Sequence, residues 1–183
     1  MKKFTLFVFI LFATYPLFAQ RYMTKTGLVS FYSDAPLEKI EAKNHQVNCA
    51  LDASSGFFVV KILMRSFVFE KALMQEHFNE EYVESDKYPN AFFKGKVVNL
   101  KDINFSKAGV YPAVIEGEMT IHGKTKKIKV KGTFTVSDDG IIAKGKFPLK
   151  LADYGISIPG AVTGKIAEDL EITTDIHLKP IKR

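Results

Sequence analysis

The sequence predicts an all-β protein: an antiparallel barrel of about eight strands with one short inserted α-helix. Three observations carry that prediction. From Val114 to Leu149, three successive segments alternate apolar and polar residues with a period of two, the repeat of strands that have one dry and one wet face. Ile115, Gly117, Met119 and Ile121 share one phase, as do Ile128, Val130, Gly132, Phe134 and Val136, and then Ile141, Ala143, Gly145, Phe147 and Leu149. The turns between them, His122-Gly123-Lys124 and Asp138-Asp139-Gly140, hold residues that tolerate the positive φ of tight hairpins. Finally, a glycine sits on the apolar phase of each segment, where it either bends a strand around a barrel corner or leaves space inside.

The elements follow in chain order. Lys2 and Lys3 precede an apolar block from Phe4 to Phe18, which ends at Ala19 before Gln20 and Arg21. A charged start, a short apolar middle and a small residue at the break describe a secretory signal peptide. The block is shorter than the roughly 20 residues of a membrane span. No cysteine follows the break, which argues against a lipoprotein. The expectation is a leader over residues 1–19 and one barrel domain over 20–183, periplasmic or secreted.

Met23, Gly27, Val29 and Phe31 share the phase of a first strand, closed by Asp34-Ala35-Pro36. A second strand is expected over residues 44–51, before the turn Asp52-Ala53-Ser54-Ser55-Gly56. The segment 57–64 is apolar on both phases except at Lys61, and Phe67 and Phe69 extend it. Between Lys71 and Val83 the spacing changes: Leu73, Met74, His77, Phe78, Glu81 and Tyr82 fall three and four residues apart, one stripe of an amphipathic helix. Alternation resumes with Ala91, Phe93, Gly95 and Val97, loosens over 101–111, and passes into the three-strand meander. Gly155, Pro159, Gly160 and Gly164 mark a loop at one mouth. A last strand is expected over 166–178, with Ile166, Leu170, Ile172, Ile176 and Leu178 in phase.

Composition narrows the function. The 183 residues carry a formal net charge of +6, which becomes +4 without Lys2 and Lys3. Lysines gather on the polar phases of 124–131 and 144–150, a basic face that either draws the protein transiently to a membrane surface or simply keeps the barrel solvated. Nucleic acid is excluded as a partner because the aromatics lie on apolar phases rather than among exposed basic residues. The single cysteine, Cys49, allows no internal disulfide and reads as a buried, inert thiol. His45, His77, His122 and His177 lie in separate elements without spaced partners, so no metal site is expected. No Gly-x-Ser-x-Gly elbow or phosphate loop is present. One enzymatic alternative stays open: His77 with Glu80 or Glu81 as acid–base groups on the helix, acting on a lipid. Another is a stress-response interaction protein whose barrel is filled solid.

Sixteen phenylalanines and no tryptophan mark the chain, and 11 of the phenylalanines lie beyond residue 19, many on inward phases. On strand phase, the lining of an apolar lumen is expected to include Phe57, Val59, Phe67, Phe69, Phe78, Phe93, Met119, Ile121, Phe134 and Phe147, with Tyr82 and Tyr154 as polar-tipped residues near an opening.

The run Met74-Gln75-Glu76-His77-Phe78-Asn79-Glu80-Glu81-Tyr82-Val83-Glu84-Ser85-Asp86-Lys87-Tyr88-Pro89-Asn90-Ala91-Phe92-Phe93-Lys94-Gly95 resembles the signature of the YceI-like, polyisoprenoid-binding family. So do Phe31-Tyr32-Ser33-Asp34-Ala35-Pro36, Ser66-Phe67-Val68-Phe69, Thr120-Ile121-His122-Gly123-Lys124-Thr125-Lys126 and Asp153-Tyr154-Gly155-Ile156. Cys49 matches none of these motifs. The resemblance implies a lipocalin-like antiparallel barrel with a helix inserted where the period changes. It also implies an apolar lumen that takes up a long isoprenoid or other lipid chain. Together with the inward glycines and the phenylalanine supply, it makes a non-catalytic carrier the leading expectation, with no cofactor beyond a bound isoprenoid quinone or other lipid. A monomer or homodimer fits that role.

Overall fold

The structure, a computed structural model, describes residues 20–181. The expected leader over 1–19 lies outside the described residues. Nine strands form one antiparallel sheet among those residues: β1 Arg21–Asp34, β2 Lys39–Asp52, β3 Phe57–Leu63, β4 Phe67–Phe69, β5 Asn90–Val97, β6 Gly109–Ile121, β7 Lys124–Ser137, β8 Gly140–Lys150 and β9 Asp169–Pro180. The order β1-β9-β8-β7-β6-β5-β3-β2 closes because β1 also pairs with β2. Closure makes an eight-stranded barrel, with β4 as the extra strand, and leaves no free edge at that junction.

β4 continues the line of β3 along β2. Residues 47–51 of β2 pair with β3, and Ala42 to Asn44 pair with β4. The 3₁₀ turn Met64–Ser66 interrupts the pair. Asn44, fully buried, repairs the break: its Nδ2 donates to Leu63 O at 2.8 Å, and its Oδ1 accepts from Gln46 N at 2.8 Å. A backbone carbonyl left without a partner there would cost roughly 1–3 kcal/mol.

The change of spacing after Lys71 corresponds to α1, Ala72–His77, continued by a π-helical turn over Phe78–Tyr82. This strap crosses one end of the barrel, called here the mouth. The 3₁₀ turn Leu151–Tyr154 and the loop before β9 lie at the same end. Toward the opposite end, Phe93, Phe58, Phe134 and Phe105 form a chain of ring contacts in that order, at centroid separations of 6.0 to 6.5 Å.

Local chemistry sets the hairpins. His122 and Gly123 both have positive φ, 49° and 71°, which makes a two-residue turn of type I′ between Ile121 and Lys124. The second strand begins at Lys39, earlier than its apolar run suggests, and β6 takes in Gly109 and Tyr111 from the stretch expected to be loose.

Candidate apolar lumen and mouth

The inward phases of the strands enclose a cavity of about 140 Å³. Seven of the residues expected there line it: Phe67, Phe78, Phe93, Met119, Ile121, Phe134 and Phe147. Its walls are almost wholly hydrocarbon, and a cavity of about 150 Å³ with such walls stays dry. The barrel is therefore not solid. A second cavity of about 370 Å³ opens at the mouth beneath the strap and is lined by Phe69, Phe78 and Tyr82 among others. Burial raises the Tyr82 hydroxyl above its ordinary pKa, with the Glu81 charge adding to the effect, so the group stays neutral at any physiological pH.

Phenylalanines separate the two spaces. Phe78, on the π-helical turn, stacks on Phe31 at 5.7 Å and 28°, and lies 5.5 Å from Phe67 and 5.0 Å from Phe69. Phe31 and Phe78 border both cavities. A π-helical turn is uncommon and often marks a functional position; here it sets Phe78 over the opening.

Two expected lining residues are corrected. Phe57 and Val59 stand on the outer phase of β3, Phe57 being 51% exposed, and their neighbours Phe58, Val60 and Ile62 line the lumen instead. With apolar residues on both phases, only Lys61 marks which side faces water, and it shares the phase of Phe57 and Val59. Tyr154 is also displaced: it is buried and borders neither cavity. Phe31 has a signal, its place on the inward phase of β1, yet falls outside the expected lining.

The acid–base alternative gains no geometry. His77 is exposed and reaches the rim of the mouth cavity, Glu80 borders a separate polar surface groove, and Glu81 borders neither. Among the described residues, no group of three or more histidine, cysteine, aspartate or glutamate side chains could hold a metal ion. Cys49 is buried, and burial pushes its thiol pKa up, which suppresses the reactive thiolate.

A family model described as YceI-like domain matches residues 25–178. This chain belongs to the YceI-like family. No curated protein matches it. Its fold is similar to a polyisoprenoid binding domain from Saccharophagus degradans implicated in plant cell wall breakdown, with TM-score 0.76 and 12% identity over 88% of this chain and 98% of that one. BcnA from Burkholderia cenocepacia is similar with TM-score 0.67 and 17% identity over 82% and 94%. A YceI protein of Campylobacter jejuni is similar with TM-score 0.56 and 16% identity over the full length of both chains. At these identities the likeness establishes the fold.

In this YceI-like barrel the long signature run forms the strap, the turn after it and most of β5. Its attachments explain why the run is so specific. His122 Nε2 donates to Glu84 Oε2 at 2.6 Å, while Nδ1 lies 3.3 Å from the Tyr154 carbonyl oxygen. Three of the recognised segments thus meet at one imidazole. The hydrogen bond from His122 holds the Glu84 carboxyl below the usual carboxylate range, with Lys87 assisting. The Tyr88 ring packs edge-on against His122 at 4.7 Å. On the other flank Arg65 pairs with Asp86, and Lys71 Nζ lies 2.8 Å from Glu38 Oε1.

Proposed function

We propose that this protein is a non-catalytic carrier, acting outside the cytoplasm, that holds an isoprenoid or other long lipid chain in the barrel lumen. The observation that carries the reading is the dry lumen, walled by phenylalanine and aliphatic side chains and continued beyond Phe78 by a larger cavity at the mouth. Membership of the YceI-like family and the likeness to a polyisoprenoid binding domain support the ligand class. The leader-like residues 1–19 support export.

Magnitudes make binding feasible without a charged anchor. Each buried methylene contributes about 0.8 kcal/mol, so about ten yield roughly 8 kcal/mol before several kcal/mol of association and ordering costs. Native mass spectrometry of protein gently extracted from its own cells tests the proposal. A lipid-sized mass that survives desolvation is expected, together with saturable binding of an isoprenoid quinone or a prenol. A ligand-free spectrum with no saturable uptake of either compound overturns it.

A further inference from the structure

The barrel wall is not closed along its whole height. β6 pairs with β7 from Gly109↔Val136 to Ile121↔Lys124, and β8 pairs with β9 from Ile141↔Leu178 to Lys150↔Asp169. Between these two ribbons the ladder runs only from Ser137↔Gly140 to Gly132↔Gly145. Beyond that fork, residues 124–131 of β7 and 146–150 of β8 face each other without pairing. The 3₁₀ turn Leu151–Tyr154 bridges the top of the gap, where Lys126 Nζ lies 3.7 Å from Asp153 Oδ1. What remains is a window between the fork and the turn.

The lumen reaches this window. Val130 and Phe147, the inward residues beside the fork, border the cavity, and so do Thr133 and Lys144 from the outer phases of the same strands. At the mouth, by contrast, the Phe31–Phe78 stack stands between the lumen and the second cavity.

Charge identifies what the window faces. Both of its sides carry lysines, of which Lys124, Lys127, Lys131 and Lys150 form no ion pair among the described residues. The strap over the mouth carries exposed Glu76, Glu80 and Glu81, and of the two lysines that line the mouth cavity, Lys71 is paired with Glu38 and Lys165 is unpaired among the described residues. An anionic surface is drawn more strongly to the window than to the mouth. A second copy pairing along residues 124–131 would set lysines against lysines.

We propose that the seam between β7 and β8 is a lateral portal that docks on an anionic lipid bilayer and passes a hydrocarbon chain between bilayer and lumen. The proposal rests on the carrier reading and adds the route and the partner surface. Apolar chain slips between Val130 and Phe147 while the lysines engage lipid phosphates.

The test follows transfer of a pyrene-tagged prenol into the protein from phosphatidylglycerol vesicles and from phosphatidylcholine vesicles. Transfer from the anionic vesicles is expected to be faster by roughly tenfold or more at low salt. K127E/K131E/K150E abolishes that preference but keeps uptake of the prenol diluted from ethanol. K25E/K101E/K107E, exposed lysines away from the seam, keeps both. Bridging K131C/K146C across the seam with a short bis-maleimide slows vesicle transfer relative to the unbridged double variant, and the buried Cys49 does not compete for the reagent. Equal transfer from the two vesicles, or an unaffected bridged variant, overturns the portal while ethanol-delivered uptake upholds the carrier. Absence of uptake by every route overturns both.

Discussion

Asp52 ends β2 and organises the turn that follows. Its Oδ1 accepts from Ser54 Oγ at 2.6 Å, Ser54 N at 3.0 Å and Ser55 N at 3.1 Å, and its Oδ2 lies 3.4 Å from Arg21 Nε. These bonds, that of the Ser54 hydroxyl foremost, lower its pKa to about 2. An ordinary aspartate titrates near 3.9. Because the folded value is depressed, the turn's contribution to stability is complete above pH ~4 and is lost as pH falls toward ~2. Urea unfolding of D52N is therefore expected to show lower stability than the parent at neutral pH and a gap that closes between pH ~4 and ~2. A gap independent of pH removes the carboxylate from the account. This turn was legible in the sequence because Asp-x-Ser-Ser-Gly chemistry is local. Glu84 and His122 were not, because 38 residues separate them and neither sits in a local pattern that names the other.

At the scale of elements, strand phase was readable wherever polar residues mark the wet face and unreadable where they do not. β7 alternates lysine and threonine with apolar residues, and its inward set came out directly. In β3 a lone Lys61 carries the same information, and the register of Phe57 and Val59 turned on it. The inward glycines left two meanings open, a bend or a space, and Gly132 shows the first. A Cβ built on it would lie 2.1 Å from the Lys144 carbonyl oxygen, a backbone atom with nowhere to retreat. This is the fork at which β7 and β8 part, so the close approach there decides where the ladder ends. G132A is expected to lose about 1–3 kcal/mol or more through overpacking. A urea midpoint shifted down at constant m-value is the readout. An unchanged midpoint means the fork is free to widen.

At the scale of the whole molecule, the division of the interior decides what length of chain fits. The lumen alone offers about 140 Å³, while the mouth cavity adds about 370 Å³ on the far side of Phe78. No period or motif in the sequence announces this partition, since it arises from four rings contributed by β1, β4 and the strap. Phe78 stands where a chain that fills the lumen would run on into the mouth. F78A joins the two spaces without touching the barrel ladder. Phe→Ala in a full core costs about 3–5 kcal/mol. The half-buried Phe78 therefore loses less, and the variant is expected to stay folded. Each further methylene that enters the joined space adds about 0.8 kcal/mol, so two of them shift relative affinity roughly tenfold. Competition among prenols of graded length, read by native mass spectrometry, should show the variant favouring longer members than the parent does. An identical length profile in both proteins places the end of the chain elsewhere and removes Phe78 from the control of length.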